Sequence, residues 1–198
     1  MENSATATFA ENIKAATAKA HTDLEALPVS VSVMNPAINN AEYITYLTLM
    51  RDIVKDAEEN VFPILSSVVP DLEARNKAHF IDADLTYLGA ETTATHNAFS
   101  TGLENVSVPF ALGAFYVIEG SSLGGRVILK NINKALGHNE ENGATYFAGY
   151  GHLTGPRWKQ FTELLSAYEA ETNTGAEIID GANYAFEAIH RHFAQEQN

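Results

Sequence analysis

The stretch YVIEGSSLGGRVIL, residues 116–129, has apolar flanks that suit a helix and three glycines at its centre. Each glycine inside a helix costs roughly 1 kcal/mol relative to alanine. Gly120 and Gly124 are four residues apart and share one helix face, with Gly125 beside them. A stripe of small residues is typical of close packing against another helix, and this is one interpretation of the stretch.

The two serines among these glycines favour a second interpretation. The hydroxyls of Ser121 and Ser122 can bond water, and glycines and serines together can kink a helix. A glycine face also lets a flat ligand lie against bare backbone, with space for a small diatomic ligand above a metal. The stretch therefore predicts a kinked helix with an open face, and helix packing remains the alternative.

Helical periodicity extends over nearly all of the chain. Apolar residues recur at three- and four-residue spacing, and prolines and glycines separate the periodic segments. The predicted helices cover about residues 9–27, 40–62, 72–88, 109–136, 156–169 and 175–195, with irregular chain around Pro36, a polar loop after Gly89 and a long loop over 137–155. No segment alternates as a strand would. We therefore predict an all-α fold of about six to eight helices in a single domain, residues 1–198.

The composition excludes several classes of function. The 198 residues include 25 acidic and 12 basic side chains, and the formal net charge of −13 opposes binding to nucleic acids and to anionic membranes. The absence of cysteine excludes disulfides, thiolate catalysis and cysteine-ligated zinc. The N-terminal sequence lacks the pattern of a signal peptide, and no apolar stretch approaches the ~20 residues of a membrane span. We expect a soluble, cytoplasmic protein.

A histidine in the first predicted helix has two informative neighbours. Glu25 follows His21 by four residues and can bond its Nδ1, which leaves Nε2 free as a metal ligand. Lys14 lies two turns earlier on the same side, where it can meet an anionic group beside that metal. An axial ligand, an orienting carboxylate and a cation are what a haem with its propionates requires. The alternative is a partly buried histidine bonded to a backbone carbonyl.

Two segments together resemble the haem oxygenase family, most closely the bacterial subgroup associated with bacteriophytochromes. They are IKAATAKAHTDLE, residues 13–25, and GAFYVIEGSSLGGRVI, residues 113–128. Four further stretches are similar in family order, namely AEYITYLTLM, IDADLTYLG, YFAGYGHLTGPRWKQF and ANYAFEAIHRHF. The resemblance implies an all-helical fold with haem between a proximal helix and a glycine-kinked distal helix.

The resemblance also assigns roles to individual residues. It implies that His21 is the axial ligand of the haem iron, that Glu25 is its hydrogen-bond partner and that Lys14 pairs with a haem propionate. The glycines of the distal helix match Gly120, Gly124 and Gly125. These expectations agree with the local spacing described above.

The chain departs from the family pattern at two places. Lys159 falls near a second propionate-binding position, but a basic position one turn later falls at Glu163, so Arg157 or Arg126 is an expected substitute. Ser121 stands where many haem oxygenases carry an aspartate that anchors water for proton delivery to iron-bound dioxygen. A serine hydroxyl orders water but is a poor acid or base at neutral pH. Members of the bacterial subgroup also lack this aspartate.

The resemblance implies oxidative cleavage of haem to biliverdin, with release of iron and carbon monoxide. Haem is then both substrate and cofactor, and no separate metal is expected. The sequence has no Fe–S ligands and no dinucleotide fingerprint, so a ferredoxin or flavin reductase is the implied electron donor, and a bacteriophytochrome is the acceptor of biliverdin that the subgroup suggests.

Two alternative functions remain open at this point. A haem carrier without turnover would use the same His21 and Lys14. A di-iron oxidase of related helical fold is suggested by the Glu-x-x-His spacing of Glu187 and His190, although no second such motif occurs. The other histidines are predicted to be surface or loop residues: His79, His96, His138, His152 and His192.

Overall fold

The computed structural model describes residues 8–91 and 96–195, which are helical and contain no strand beyond isolated bridges at Asn139. Eight α-helices follow in chain order: α1 Phe9–Glu25, α2 Pro28–Ser32, α3 Asn40–Asn60, α4 Ala78–Tyr87, α5 Val108–Leu136, α6 Thr145–Ala148, α7 Thr154–Thr172 and α8 Gly175–Gln195. Short 3₁₀ turns lie at Phe62–Leu65, Leu72–Arg75 and Gly151–Leu153. The predicted all-α fold is confirmed. The predictions for residues 1–7 and for part of the polar loop after Gly89 fall outside the described residues.

The ends of the long helices follow local chemistry. The side chain of Asn39 accepts a hydrogen bond from the backbone of Glu42 at the start of α3, and the two residues form a capping box. At the start of α5 the Ser107 hydroxyl accepts a hydrogen bond from the backbone N–H of Phe110, and a proline occupies the first turn. Gly137 ends α5 with a φ of 80°, a conformation that costs glycine little.

Two segments are more helical than the sequence predicts. The short helix α2 begins at Pro28, where we expected irregular chain, because proline suits a first helical turn. The predicted loop over 137–155 contains α6, a 3₁₀ turn and the first residues of α7. Both segments are short and depend on contacts with other helices.

The centre of the fold is the crossing of α5 and α8. A Cβ added to Gly113 would lie 1.8 Å from the Ile178 carbonyl oxygen, and one added to Gly181 would lie 2.0 Å from the Phe110 carbonyl oxygen. The two helix backbones therefore touch at these glycines.

Helices α1 and α5 share α8 as a packing partner. Helix α1 packs against α8 and α7, and α5 also packs against α8, but α1 and α5 form no main interface with each other. The side-chain amide of Asn131 on α5 donates to the carbonyl oxygens of Val33 and Asn35, at 3.0 and 3.1 Å, and so ties the end of α2 to α5. Because α1 and α5 form no main interface, we call the region between α1, residues 28–35 and the second half of α5 the α1–α5 opening.

None of the helices within residues 8–91 and 96–195 is both long enough and apolar enough to span a membrane.

Candidate active site

His21 projects from α1 with much of its side chain open. Its imidazole is 56% exposed, and Nδ1 lies 3.4 Å from a carboxylate oxygen of Glu25. The ring also makes an edge contact with Phe186 of α8, at 5.6 Å between centroids. Neither ring nitrogen bonds a backbone carbonyl of the described residues, which disfavours the alternative of a buried structural histidine. Nε2 is therefore available to a ligand.

Lys14 provides a cation near this histidine. It is exposed on α1 and shares a face with His21, seven residues later. No carboxylate of the described residues forms an ion pair with it, whereas Lys19 on the same helix pairs with Asp23. Lys14 is thus placed to meet an anion brought in by a ligand.

The three glycines of α5 have different surroundings. A Cβ on Gly124 would meet nothing within 4 Å, so this position faces open space. A Cβ on Gly120 would lie 3.2 Å from the Trp158 ring, and one on Gly125 would lie 2.9 Å from the carbonyl oxygen of Phe147. The open-face interpretation fits Gly124, and the packing interpretation fits Gly125.

Helix α5 is continuous through the glycine cluster. The hydroxyl of Ser121 donates to the carbonyl oxygen of Ile118 at 2.7 Å, and that of Ser122 donates to the carbonyl oxygen of Glu119. Serine hydroxyls that bond back to the preceding turn tend to bend a helix. Ser121 is exposed on the helix surface, whereas Ser122 is buried.

Exposed apolar side chains lie around the α1–α5 opening. Leu123 and Val127 of α5, which lie on the same side of Gly124 around the helix, are 43% and 57% exposed. Val31 and Met34 are exposed in the segment that Asn131 ties to α5. Large exposed apolar groups clustered on one side of a protein mark a ligand or partner surface. A flat apolar ligand would cover them.

The other three predicted basic residues differ in their orientation and in the partners of their side chains. Arg126 follows Gly124 by two residues and so points roughly 200° away around the helix. Arg157 donates to the carbonyl oxygen of Ala74 at 2.7 Å and stacks on a tyrosine ring. Lys159 lies 3.7 Å from Glu163 on the exposed side of α7.

Sequence reasoning missed a buried ionic cluster directly before the first glycine. Glu119 accepts hydrogen bonds from Lys77 at 3.0 Å and from the Tyr150 hydroxyl at 2.8 Å, and it also pairs with Arg75. Burial lowers the pKa of Lys77 and raises that of Tyr150, while the Glu119 charge opposes the first shift and adds to the second. The cluster holds α5 against distant segments next to Gly120. A charged residue within an apolar helical stretch was the available signal.

The predicted surface histidines need one correction. His79, His96 and His152 are exposed, and His138 bonds the side chain of Asn40 at 2.8 Å. His192 is instead largely buried, 12% exposed, and its Nε2 lies 3.2 Å from Asp52. This aspartate belongs to α3, so the pairing required the tertiary fold.

The di-iron alternative finds no support in the described residues. Glu187 is exposed, and within residues 8–91 and 96–195 no group of three or more His, Cys, Asp or Glu side chains could hold a metal ion. A di-iron site requires several convergent carboxylates and histidines.

Comparisons of this chain with a protein-family model and with solved structures agree on one family. The family model described as Heme oxygenase matches residues 7–195. The heme oxygenase of Neisseria meningitidis, solved with NO and CO bound, is 30% identical, with a TM-score of 0.76 and coverage of 96% of this chain and 94% of that chain.

Two more distant structures share the fold. Heme oxygenase from Leptospira interrogans gives a TM-score of 0.75 at 15% identity, covering 96% of this chain and all of that one. Heme oxygenase-1 from the cyanobacterium Synechocystis, in complex with heme, gives a TM-score of 0.74 at 14% identity. The match covers 96% of this chain and 92% of that one. No curated protein sequence matches the chain.

Proposed function

The chain belongs to the haem oxygenase family, and from this premise we propose that the α1–α5 opening binds haem as both substrate and cofactor. The protein is a haem-degrading enzyme that opens the ring oxidatively to biliverdin, with release of iron and carbon monoxide. The assignment of individual residues to this reaction is our proposal.

The residues at the opening fit a haem. The observation that carries the proposal is the exposed imidazole of His21, with Glu25 at its Nδ1 and its Nε2 open. The unpaired cation of Lys14 and the open space above Gly124 complement a dianionic, flat ligand with a central metal. The exposed apolar side chains around the opening suit a porphyrin.

Each of these side chains has a defined task. His21 would hold the iron through Nε2, and the Glu25 carboxylate would accept a hydrogen bond from Nδ1–H, which would fix the tautomer and raise the basicity of the ring. Lys14 pairs with a propionate. Gly124 leaves the distal face of α5 open, and Ser121 orders water there; Gly120 and Gly125 set the helix against its neighbours. Bound haem supplies the iron that reacts with dioxygen and the ring that is oxidised.

Lys159 is the best placed of the remaining basic residues for the second propionate. It adjoins Trp158, whose ring lies against Gly120, and its contact with Glu163 is long and exposed. Arg157 would have to give up its bond to Ala74, and Arg126 points away from Gly124. We therefore place Lys159 before Arg157 and Arg126 in this role.

The remaining assignments follow from the resemblance and from charge. An external electron donor, a ferredoxin or flavin reductase, is proposed, and the exposed cations Lys130 and Lys134 of α5 would suit an acidic partner. A bacteriophytochrome is the proposed acceptor of biliverdin. We also propose a cytoplasmic location and a single domain over residues 1–198, neither nucleic acid nor membrane being a partner.

Aerobic turnover of the reconstituted complex tests the proposal. Haem is added to the purified protein, followed by ascorbate, and the products are separated by chromatography. Loss of the Soret band with formation of biliverdin is the expected outcome, and the isomer also identifies the ring carbon attacked. A Soret band that persists under these conditions would instead identify a haem carrier.

A further inference from the structure

One stripe of α5 changes from covered to open between two of its glycines. Tyr116, Gly120 and Gly124 follow one another at four-residue spacing and so lie along one side of the helix. The Trp158 ring lies 5.2 Å from that of Tyr116 between centroids, and two carbons of its six-membered ring would lie 3.2 and 3.3 Å from a Cβ on Gly120. A Cβ on Gly124 would meet nothing within 4 Å. The indole therefore covers the stripe as far as Gly120 and leaves it open one turn later.

The indole is held in this place by its own helix and by the residue before it. Phe161, one turn later on α7 and only 1% exposed, lies 5.9 Å from the indole between ring centroids. Arg157 donates to the carbonyl oxygen of Ala74 at 2.7 Å, and its guanidinium lies 4.4 Å from the centre of the Tyr150 ring. The Tyr150 hydroxyl in turn donates to Glu119 at 2.8 Å. The start of α7 is therefore tied to α5 directly before the covered glycine.

The indole is a rigid wall at one end of the α1–α5 opening. A flat ligand seated over Gly124 can extend along the stripe toward Tyr116 only until it reaches this ring. Trp158 is partly buried, so part of its apolar surface remains for another contact. A tryptophan side chain supplies a large contact area and has only two rotatable torsions, so it keeps its shape when a ligand presses on it.

A wall of this kind can select one orientation of a porphyrin. A single axial ligand such as His21 does not fix the rotation of the ring about the bond to its metal. The edges of protoporphyrin differ, because two propionates flank one of the four bridging carbons and methyl and vinyl groups flank the others. A wall on one side therefore favours the rotations whose substituents fit against it.

We propose that Trp158 is a specificity-determining residue, whose indole contacts one edge of the bound haem and thereby selects the ring carbon that is attacked. Lys14 and His21 would hold the same molecule at a propionate and at the metal. The inference rests on the proposed haem site and adds to it the residue that decides which biliverdin isomer forms.

The first test needs no turnover. Trp158 is the one tryptophan of the chain, so its indole N–H gives a single signal in the NMR spectrum of a ¹⁵N-labelled sample. Zinc protoporphyrin, a diamagnetic analogue of haem, is added, and its binding is followed in the visible spectrum. A ring current moves a group beside the edge of a porphyrin downfield and a group above its face upfield. We expect a downfield shift; an indole signal that stays in place or moves upfield on binding would overturn the inference.

The second test measures the selection itself, by chromatography of the biliverdin isomers formed with ascorbate. In Trp158→Leu the ratio of the major isomer to the others is expected to fall about 3- to 10-fold, the size of one aromatic contact, whereas Trp158→Phe keeps most of the preference. Gly120→Ala is expected to change the ratio because its methyl group displaces the indole. The same substitution in the Trp158→Leu background should change it little, since one residue acts through the other.

Tyr168→Leu is the matched control, because Tyr168 is a partly buried aromatic residue of the same helix about 15 Å further along. It is expected to lower the Tm of the haem-free protein and to leave the isomer ratio in place. An unchanged ratio in Trp158→Leu, an equal change in Tyr168→Leu, or an equal effect of Gly120→Ala with and without the indole would overturn the inference while the proposed function stands. A wild-type protein that binds neither haem nor zinc protoporphyrin would overturn both together.

Discussion

The imidazole of His21 has one nitrogen toward Glu25 and the other open, the state required of an axial ligand. We expect His21→Ala to bind haem through apolar contacts and Lys14, but to lose the axial imidazole and with it ring opening driven by a reductant. The spectrum of the ferrous carbonyl complex and the yield of biliverdin measure the two effects. A histidine-type carbonyl spectrum in this variant would exclude His21 as the ligand.

The carboxylate of Glu25 acts on the iron only through His21. Glu25→Gln is expected to slow turnover by about 10- to 100-fold while haem still binds, since partners of metal ligands contribute in this range. Asp23→Asn is the control, because Asp23 lies on the same helix and pairs with Lys19 instead. Equal rates in the Glu25 variant and the wild type would remove Glu25 from the mechanism.

The different surroundings of Gly124 and Gly125 make them a matched pair. Gly124→Ala adds a methyl group in open space, so we expect up to about 1 kcal/mol of added stability and slow or absent ring opening. Gly125→Ala meets the Phe147 backbone, and we expect a loss of about 1–3 kcal/mol with near-normal turnover per folded molecule. Thermal melting and haem turnover, measured on the same samples, distinguish an effect on stability from an effect on the reaction in each variant. A Gly124→Ala variant that loses stability but turns over haem normally would mean that Gly124 serves helix packing.

The sequence predicts those parts of the candidate site that depend on spacing within one helix. His21, Glu25 and Lys14 share a face of α1 because they are separated by four and seven residues. The hydrogen bond of Arg157 could not be predicted, since the carbonyl oxygen of Ala74 that accepts it is 83 residues away in the sequence.

At the scale of elements, the crossing of α5 and α8 is the contact least able to accept a larger residue. Gly181→Ala would place a Cβ 2.0 Å from the Phe110 carbonyl oxygen, and a backbone atom in a helix cannot move aside alone. We expect a loss of about 3 kcal/mol or more, because the helices must separate. Denaturant unfolding of the haem-free protein measures it. Gly155→Ala, where a Cβ would meet nothing within 4 Å, is the control, and equal stability of the two variants would contradict this crossing.

Helix positions were predictable where the chain carries its own signals. The periodic apolar residues and the caps at Asn39 and Ser107 locate α3 and α5 to within a few residues. The helix α6 carries no such signal, because it has four residues and lacks a side-chain cap. The carboxylate of Asp84 on α4 holds this helix in place, because it accepts hydrogen bonds from the first two backbone N–H groups of α6.

For the whole molecule, the decisive property is an acidic surface with a local basic region. The net charge is −13, yet Arg126, Lys130 and Lys134 follow one another at four-residue spacing on the exposed side of α5. None of the three forms an ion pair with a described carboxylate, and Glu140 and Glu141 line the same shallow depression as Arg126 and Lys130. Leu123 and Val127 lie between them and the open glycine. This arrangement suits an acidic protein that delivers electrons to the α1–α5 opening.

Reversal of one charge tests this electron-transfer surface. Lys130→Glu is expected to slow turnover driven by an acidic protein donor roughly tenfold at low salt, since electrostatic steering is lost, and to weaken the salt dependence of the rate. The ascorbate-driven rate should not change, because a small reductant does not need the surface. Lys19→Glu is the control, because it changes the net charge of the protein by the same amount but lies on α1. It should retain the donor-driven rate of turnover. Equal slowing by both variants would mean that only the net charge of the molecule matters, and equal slowing with ascorbate would place Lys130 in haem binding instead.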